Sequence, residues 1–328
     1  MTPIKITEQT WPDGTAPVVS ICCITYNHES FIAEAIEGFL MQETNFPVEI
    51  IIHDDASTDS TDDIIKNYKK RYPNLIRTIL QTENQRPFGI PTTVKLLVEA
   101  SGNYVALCEG DDYWICSNKL QRQVSFMESS KQFAFCFHDA FAEKYDEENT
   151  LIKRSALYQT PPTQILKFDD FARGFAPPTA ACLLRNQRDV FTWLLERKMG
   201  FVKTIFYALL EGGGRAAFLP EKMSVYRVHQ GGVFSMISYE KQQIMSNGGL
   251  WVNRKNFTSK HYKDLFGVKL LENYIGLLYR YIQERRYKEV VMCSLRVIQL
   301  LVAPPRPRII RAFTARCFAY IARRISFS

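Results

Sequence analysis

The chain contains no apolar run of the roughly 20 residues that a membrane-spanning helix requires. Its best stretch, Val290 to Ala303, is shorter and carries Arg296. The opening has no basic segment followed by an apolar run, so no secretory signal is readable and a cytoplasmic protein is expected. None of the eight cysteines forms a C-x-x-C pair, which removes the usual zinc cage and dithiol couple. Cys22, Cys23, Cys108, Cys136 and Cys182 lie in apolar, strand-like runs, where free thiols act as small hydrophobes. A disulfide framework is not expected in a chain this large and apolar. Acidic residues also run out: none follows Glu289, while Arg296, Arg306, Arg308, Arg311, Arg316, Arg323 and Arg324 do.

What remains is a globular composition, 46% hydrophobic and 23% charged over 328 residues, well able to bury a core. The overall charge of +7 divides unevenly, with net −5 over residues 1–239 and net +12 over 240–328. Two regions with different partners are implied, and an anionic surface suits the second.

Residues 1–16 read as a polar lead-in. Val18–Thr25 is a short apolar run with β-branched residues, hence a buried strand, and His28 to Met41 shows helical spacing. Val48–His53 is a second strand that stops at Asp54-Asp55, with Ser57 or Thr58 placed to cap the helix that follows. Ile76–Gln81 and Tyr104–Cys108 are further strands, with a helix over Pro91 to Ala100 between them. Alternating strands and helices predict an α/β domain with a mostly parallel, Rossmann-like sheet covered on both faces. Phe133–Phe137, Ala180–Leu184 and Ala216–Leu219 read as later strands. Beyond Tyr239 the pattern is helical, with Tyr262–Glu284 and Tyr287–Val302 as an antiparallel pair. The expected organisation is therefore a catalytic domain over 17–238, helices over 239–303, and a basic amphipathic helix over 304–328.

Ligands bind such sheets outside the carboxyl ends of the strands. The strand ends here are Thr25-Tyr26-Asn27, Asp54-Asp55 and Glu109-Gly110-Asp111-Asp112. Clustered carboxylates repel one another unless something positive binds among them. A hard divalent cation, Mg or Mn, with a diphosphate on its open positions is the natural occupant. Solvated loop acids or helix caps are the plainer alternative for either pair alone.

Four stretches then come in order: PVVSICCITYNHESFIAEAI, IIHDDASTDSTDDII, SGNYVALCEGDDYWICSNKLQRQ and MSVYRVHQGGVFS at 223–235. Together they resemble the family 2 glycosyltransferases, inverting enzymes of the GT-A fold, in members that build bacterial surface polysaccharide. The resemblance implies a nucleotide-sugar donor, usually UDP-linked, and a glycan or lipid-linked acceptor. It places the nucleotide base at Tyr26, beside Thr25 and Asn27, with Asp55 next to Asp54 accepting from the base. Asp111 and Asp112 match the metal and ribose-diphosphate motif, with Asp112 the preferred metal ligand; Glu109 stands where Asp is commoner. His229 matches a histidine near the diphosphate or metal. Lys119 and Arg86 are cations that could face the diphosphate, and Arg86 fits a solvated surface equally well.

The family's catalytic base is an acid ahead of the helix before YRVH, and the residue matching that position is Lys203. A lysine of ordinary pKa, about 10.4, holds its proton at neutral pH. Glu196 and Glu211 are the nearest acids that could substitute. The alternative is a nucleotide-sugar-binding or scaffold protein that has lost the chemistry. A nucleotidyltransferase would need a Gly-rich phosphate loop after the first strand, and TYNHES is not one. In 308–325 arginines alternate with Ile310, Phe313, Tyr320 and Ile321, as in helices that lie on anionic membranes. Packing on the protein is the competing reading, and no nucleic-acid motif is present.

Overall fold

The structure is a computed structural model that describes residues 2–158, 162–232 and 237–302. The described chain divides into two compact units, Met1–Phe171 with Ala176–Met236, and Ala172–Phe175 with Ile237–Ser328.

The first unit begins with β1 (Ile4–Lys5), β2 (Val19–Thr25), α1 (Ile32–Leu40), β3 (Glu43–Thr44) and β4 (Val48–Asp54). It continues with α2 (Thr61–Arg71), β5 (Ile76–Leu80), α3 (Thr92–Glu99), β6 (Tyr104–Glu109), β7 (Tyr113–Trp114) and α4 (Lys119–Ser129). Then come β8 (Phe133–Tyr145), β9 (Leu151–Ala156), β10 (Ile165–Lys167), α5 (Phe168–Ala172) and β11 (Cys182–Arg185). Helices α6 (Arg188–Glu196) and α7 (Val202–Leu210) precede the long β12 (Arg215–Val228).

The main sheet runs β10-β12-β8-β11-β6-β2-β4-β5. Strands β5, β4, β2 and β6 are parallel, and the register pairs Thr25 with Asp54 and Ile24 with Glu109. The expected α/β pattern is there, but the sheet is mixed. β11 enters antiparallel between β6 and β8, while β8 and β12 run parallel to each other. Hydrophobic periodicity fixes which residues are buried in a strand, not which way the strand runs, so this reversal has no sequence signature.

Ile21 and Cys23 of β2, Ile50 and Ile52 of β4, and Ala106 and Cys108 of β6 face one core with Ile32, Ala35, Ile36 and Phe39 of α1. Their fully buried side chains each contribute on the order of 1.5–3 kcal/mol for the larger residues. The five cysteines expected as core filler are buried and unbridged.

In the second unit α8 (Tyr239–Asn256), α9 (Lys260–Gln283) and α10 (Tyr287–Val302) follow one another. Ser238 and Ser259 cap the first two, accepting from the main-chain N–H of Lys241 and Tyr262. Three residues, with Arg285 at φ 55°, turn the chain between α9 and α10 and make the pair antiparallel. Leu277, Tyr281 and Cys293 form its core. Among the described residues no helix is long and apolar enough to cross a membrane. The amphipathic helix expected over 304–328 lies outside the described residues.

Candidate functional site

The carboxyl ends of β2, β4 and β6 carry the residues singled out in the sequence. After β2, Asn27 takes a left-handed conformation, φ 56°, and the loop turns back toward the loop after β4. The two loops interlock. The N–H of Asn27 donates to Ser57 Oγ at 2.9 Å, and the N–H of Thr58 donates to Asn27 Oδ1 at 2.8 Å. The N–H of His28 donates to Thr61 Oγ1 at 2.8 Å, and that of Glu29 to Asp59 Oδ2 at 3.1 Å. The small polar residues of DDASTDST thus receive main-chain donors from the neighbouring loop. They do not begin the helix as expected: α2 starts at Thr61, Ser60 occupies the cap without a side-chain bond, and Ser57 instead donates to Asp54.

Asp54 and Asp55 are both buried, and Asp55 Oδ1 accepts from the N–H of Gln85 at 2.9 Å. Tyr26 by contrast is 42% exposed, an aromatic face open to solvent at the rim. Thr25 is buried beside it, with Oγ1 3.1 Å from His28 Nδ1. Arg86 opens a short 3-10 helix and is exposed.

At the end of β6, Gly110 passes so close to β2 that a Cβ would sit 2.5 Å from Thr25 Oγ1. That approach brings the next two residues against β12. Asp111 Oδ2 lies 3.2 Å from His229 Nε2 and 3.6 Å from His28 Nε2. Asp112, 2% exposed, accepts from the N–H of Arg227 through Oδ1 at 2.9 Å. The two acidic strand ends are separated by β2, so with neighbouring strands about 4.8 Å apart they stand about 10 Å from each other.

Environment divides these acids. Burial pushes the Asp112 carboxyl well above its ordinary range, and the charges of Asp111 and Glu109 add to the shift. Burial also raises Asp111, but the His229 hydrogen bond and the two imidazoles outweigh it, and Asp111 ends below its ordinary value. Glu109 is lifted to about 7, first by burial and then by Asp111, against a hydrogen bond donated by Thr179. Burial depresses His28.

Among the described residues no three His, Cys, Asp or Glu side chains are arranged as a ready metal cage. The donor set nonetheless fits a divalent ion of the Mg or Mn kind. Such ions bind through one or two carboxylates and take their other ligands from phosphate and water. Asp111 and His229 converge on one point and could supply the protein's share, with Asp112 behind them.

One of the residues is placed differently from expectation. Lys119 does not face the strand ends: it is 0% exposed, with Nζ 3.9 Å from the Trp114 ring centre and donating to Gln123 Oε1 at 2.8 Å. Burial lowers its pKa to about 8. The reason is its place as the first residue of α4, whose buried side holds Leu120, Gln123 and Val124. Lys203 and Glu211 stand at opposite ends of α7, about 12 Å apart along the axis. Glu196 ends α6 with a side chain 66% exposed and 3.5 Å from Arg197.

Two residues were missed. Arg227 lies under the site, 3% exposed, with Nη1 donating to Asp111 O at 2.9 Å, Nη2 paired with Glu34, and its guanidinium 4.2 Å from the Tyr113 ring centre. His28 is the second imidazole on Asp111. Spacing could have found the first: in YRVH, residues 227 and 229 are two apart and share a strand face. Nothing in the sequence announced His28.

Known proteins resemble this chain in sequence and in fold. The model of the family described as Glycosyl transferase family 2 matches residues 20–186. An uncharacterized protein of Mycobacterium tuberculosis is 33% identical over 254 residues, covering 70% of this chain and 64% of that protein. The chain thus spans less than two thirds of that relative's length. A UDP-Glc:α-D-GlcNAc-diphosphoundecaprenol β-1,3-glucosyltransferase of Escherichia coli is 36% identical over 127 residues, 39% of this chain and 47% of that enzyme. Among solved structures, Staphylococcus aureus TarS 1–349 in complex with UDP-GlcNAc superposes with a TM-score of 0.55 at 15% identity, over 79% of this chain and 72% of that one. The mannosyltransferase PcManGT of Pyrobaculum calidifontis, in complex with GDP-Man and Mn2+, gives 0.51 at 15% identity over 96% and 85%. At such identities the two structures speak for the fold.

Proposed function

The chain belongs to glycosyl transferase family 2, and from that premise we propose that it moves a sugar, with inversion, from a nucleotide-diphosphate donor to a glycan or lipid-linked acceptor. UDP is the preferred carrier, as in the name of the E. coli relative and the TarS complex. The observation that carries the reading is the convergence of His229 and His28 on Asp111, beside the interlocked loops at the parallel strand ends.

In this reading the exposed Tyr26 ring stacks on the base, and Asp55, already fixed by Gln85, accepts from it. Asp111, Asp112 and His229 would hold a divalent cation, Mn or Mg, and the exposed Arg86 would reach the phosphates from the rim. When bound, that cation offsets the negative charge that grows on the departing diphosphate. Arg227 keeps the Asp111-Asp112 turn in place through its own N–H and guanidinium. The acceptor hydroxyl attacks from the opposite face and needs a base. Glu211 and Glu196 are the acids offered for it, with Lys203 at the family's position.

Calorimetry with UDP and Mn, run beside a donor-hydrolysis assay, tests the reading. Mn-dependent UDP binding with turnover, both lost in Asp112→Ala, is the expected result. Lys203 favours a second reading, a binding or scaffold protein, and binding without turnover for any donor would select it. Replacing Glu211 and Glu196 by Gln and Lys203 by Met, one at a time, identifies the base as the position where kcat collapses while KM holds. The arginines of 304–328 support attachment to the inner face of the plasma membrane. Vesicle flotation with and without that segment tests it.

A further inference from the structure

Helix α10 presents two apolar sides. Cys293, Val297 and Leu300 are buried. On a helical wheel of 100° per residue the opposite arc gathers Tyr287, Val291, Leu295, Ile298 and Val302, with Met292 at its margin. All six are at least 53% exposed, and Tyr287 and Val302 reach 72% and 77%. An isolated exposed Leu is ordinary, but a continuous stripe along four turns is not.

Charge decides what suits it. The ionised side chain nearest this arc is Lys288, which is exposed, while Arg296 falls about 20° from Glu289 on the wheel, away from the stripe. Glu289 lies on the other side of the helix and pairs with Arg286 at 2.8 Å, and Glu284 pairs with Arg280 at 2.6 Å. No acid follows Glu289 in the sequence, while seven arginines do. At 16 residues the helix is about 24 Å long, short of the roughly 30 Å hydrocarbon layer. An apolar stripe bordered by Lys288, on a helix too short to span and followed by an acid-free, arginine-rich sequence, is the pattern of an element lying in the plane of an anionic bilayer surface.

We propose that the exposed stripe of α10 is the membrane seat of this protein, inserting Val291, Leu295, Ile298 and Val302 among the acyl chains of anionic phospholipid. The inference rests on the membrane reading given above and assigns the apolar contact to α10 rather than to 304–328 alone.

Flotation of the full chain with phosphatidylglycerol–phosphatidylcholine vesicles tests it, comparing wild type, a deletion of 304–328, and the pair Leu295→Glu with Ile298→Glu. Both positions are exposed, so thermal unfolding should be unchanged; the milder Leu295→Gln with Ile298→Gln serves if it is not. The expected result is binding by wild type, weaker on pure phosphatidylcholine, and at least a tenfold loss in the α10 pair. Wild type that fails to float overturns the membrane reading itself. Wild type that floats while the α10 pairs float equally well overturns only the assignment to α10. A stable dimer that the α10 pair dissociates, seen by light scattering, would overturn it too, giving the stripe to a second copy of the chain.

Discussion

The main-chain N–H of Arg227 donates to Asp112 Oδ1 at 2.9 Å, across 115 residues of sequence. The same residue's guanidinium holds Asp111 O, so one arginine fixes both acids of the turn, one by its backbone and one by its side chain. Replacing it by Met keeps the backbone bond to Asp112 and removes the other. Loss of the hydrogen bond to Asp111 and of the ring contacts with Tyr113 and Phe31 should cost about 2–4 kcal/mol of stability. Denaturant unfolding reads this, and Arg227→Lys should recover only part of it because a lysine cannot hold two directions at once.

Asp112→Asn separates charge from shape. The amide oxygen still accepts from Arg227, and burial no longer opposes a charge, so the melting temperature should hold or rise. Donor hydrolysis should fall by roughly 100-fold or more if the carboxylate acts on the leaving diphosphate. A variant that melts like wild type and keeps full turnover would remove Asp112 from the site.

Gly110, within the Glu109-Gly110-Asp111-Asp112 strand end, is a steric requirement. In Gly110→Ala the new methyl carbon meets Thr25 Oγ1 at 2.5 Å and Ile32 Cδ1 at 3.0 Å. Overpacking of this kind costs about 1–3 kcal/mol. UDP binding by calorimetry should weaken as well, since the turn bearing Asp111 must move.

Asn27→Ala tests the interlocked loops. It removes the acceptor of the Thr58 N–H and leaves alanine in a left-handed conformation. The two effects together should cost about 2 kcal/mol. In the proposed reading these loops hold the nucleotide base, so KM for the donor should rise more than kcat falls.

Lys119 makes stability depend on pH. Its pKa is about 8 when folded, against about 10.4 unfolded, so between those values the unfolded chain holds more protons and stability rises with pH. Below pH 8 both states are charged and the cost of burying the ammonium is present in full. Relative to Lys119→Met, wild type should therefore gain about 1 kcal/mol from pH 7 to pH 9. Urea unfolding of both proteins at the two pH values measures it; a constant difference would count against the shift.

The sequence by itself determined the parallel core strands, their polar carboxyl ends and the family. All are written in local patterns: apolar runs of strand length, acids at their ends, and motifs in a fixed order. It also determined the charge divide that ends in an acid-free, arginine-rich segment. Tertiary structure alone decided that β11 runs backward between β6 and β8, because periodicity reports burial and not direction. It decided too that Lys119 sits under Trp114 while His28 meets Asp111. Both are cations or potential cations beside a motif, and only the packing of α4 and the folding back of the loop after β2 separate one fate from the other.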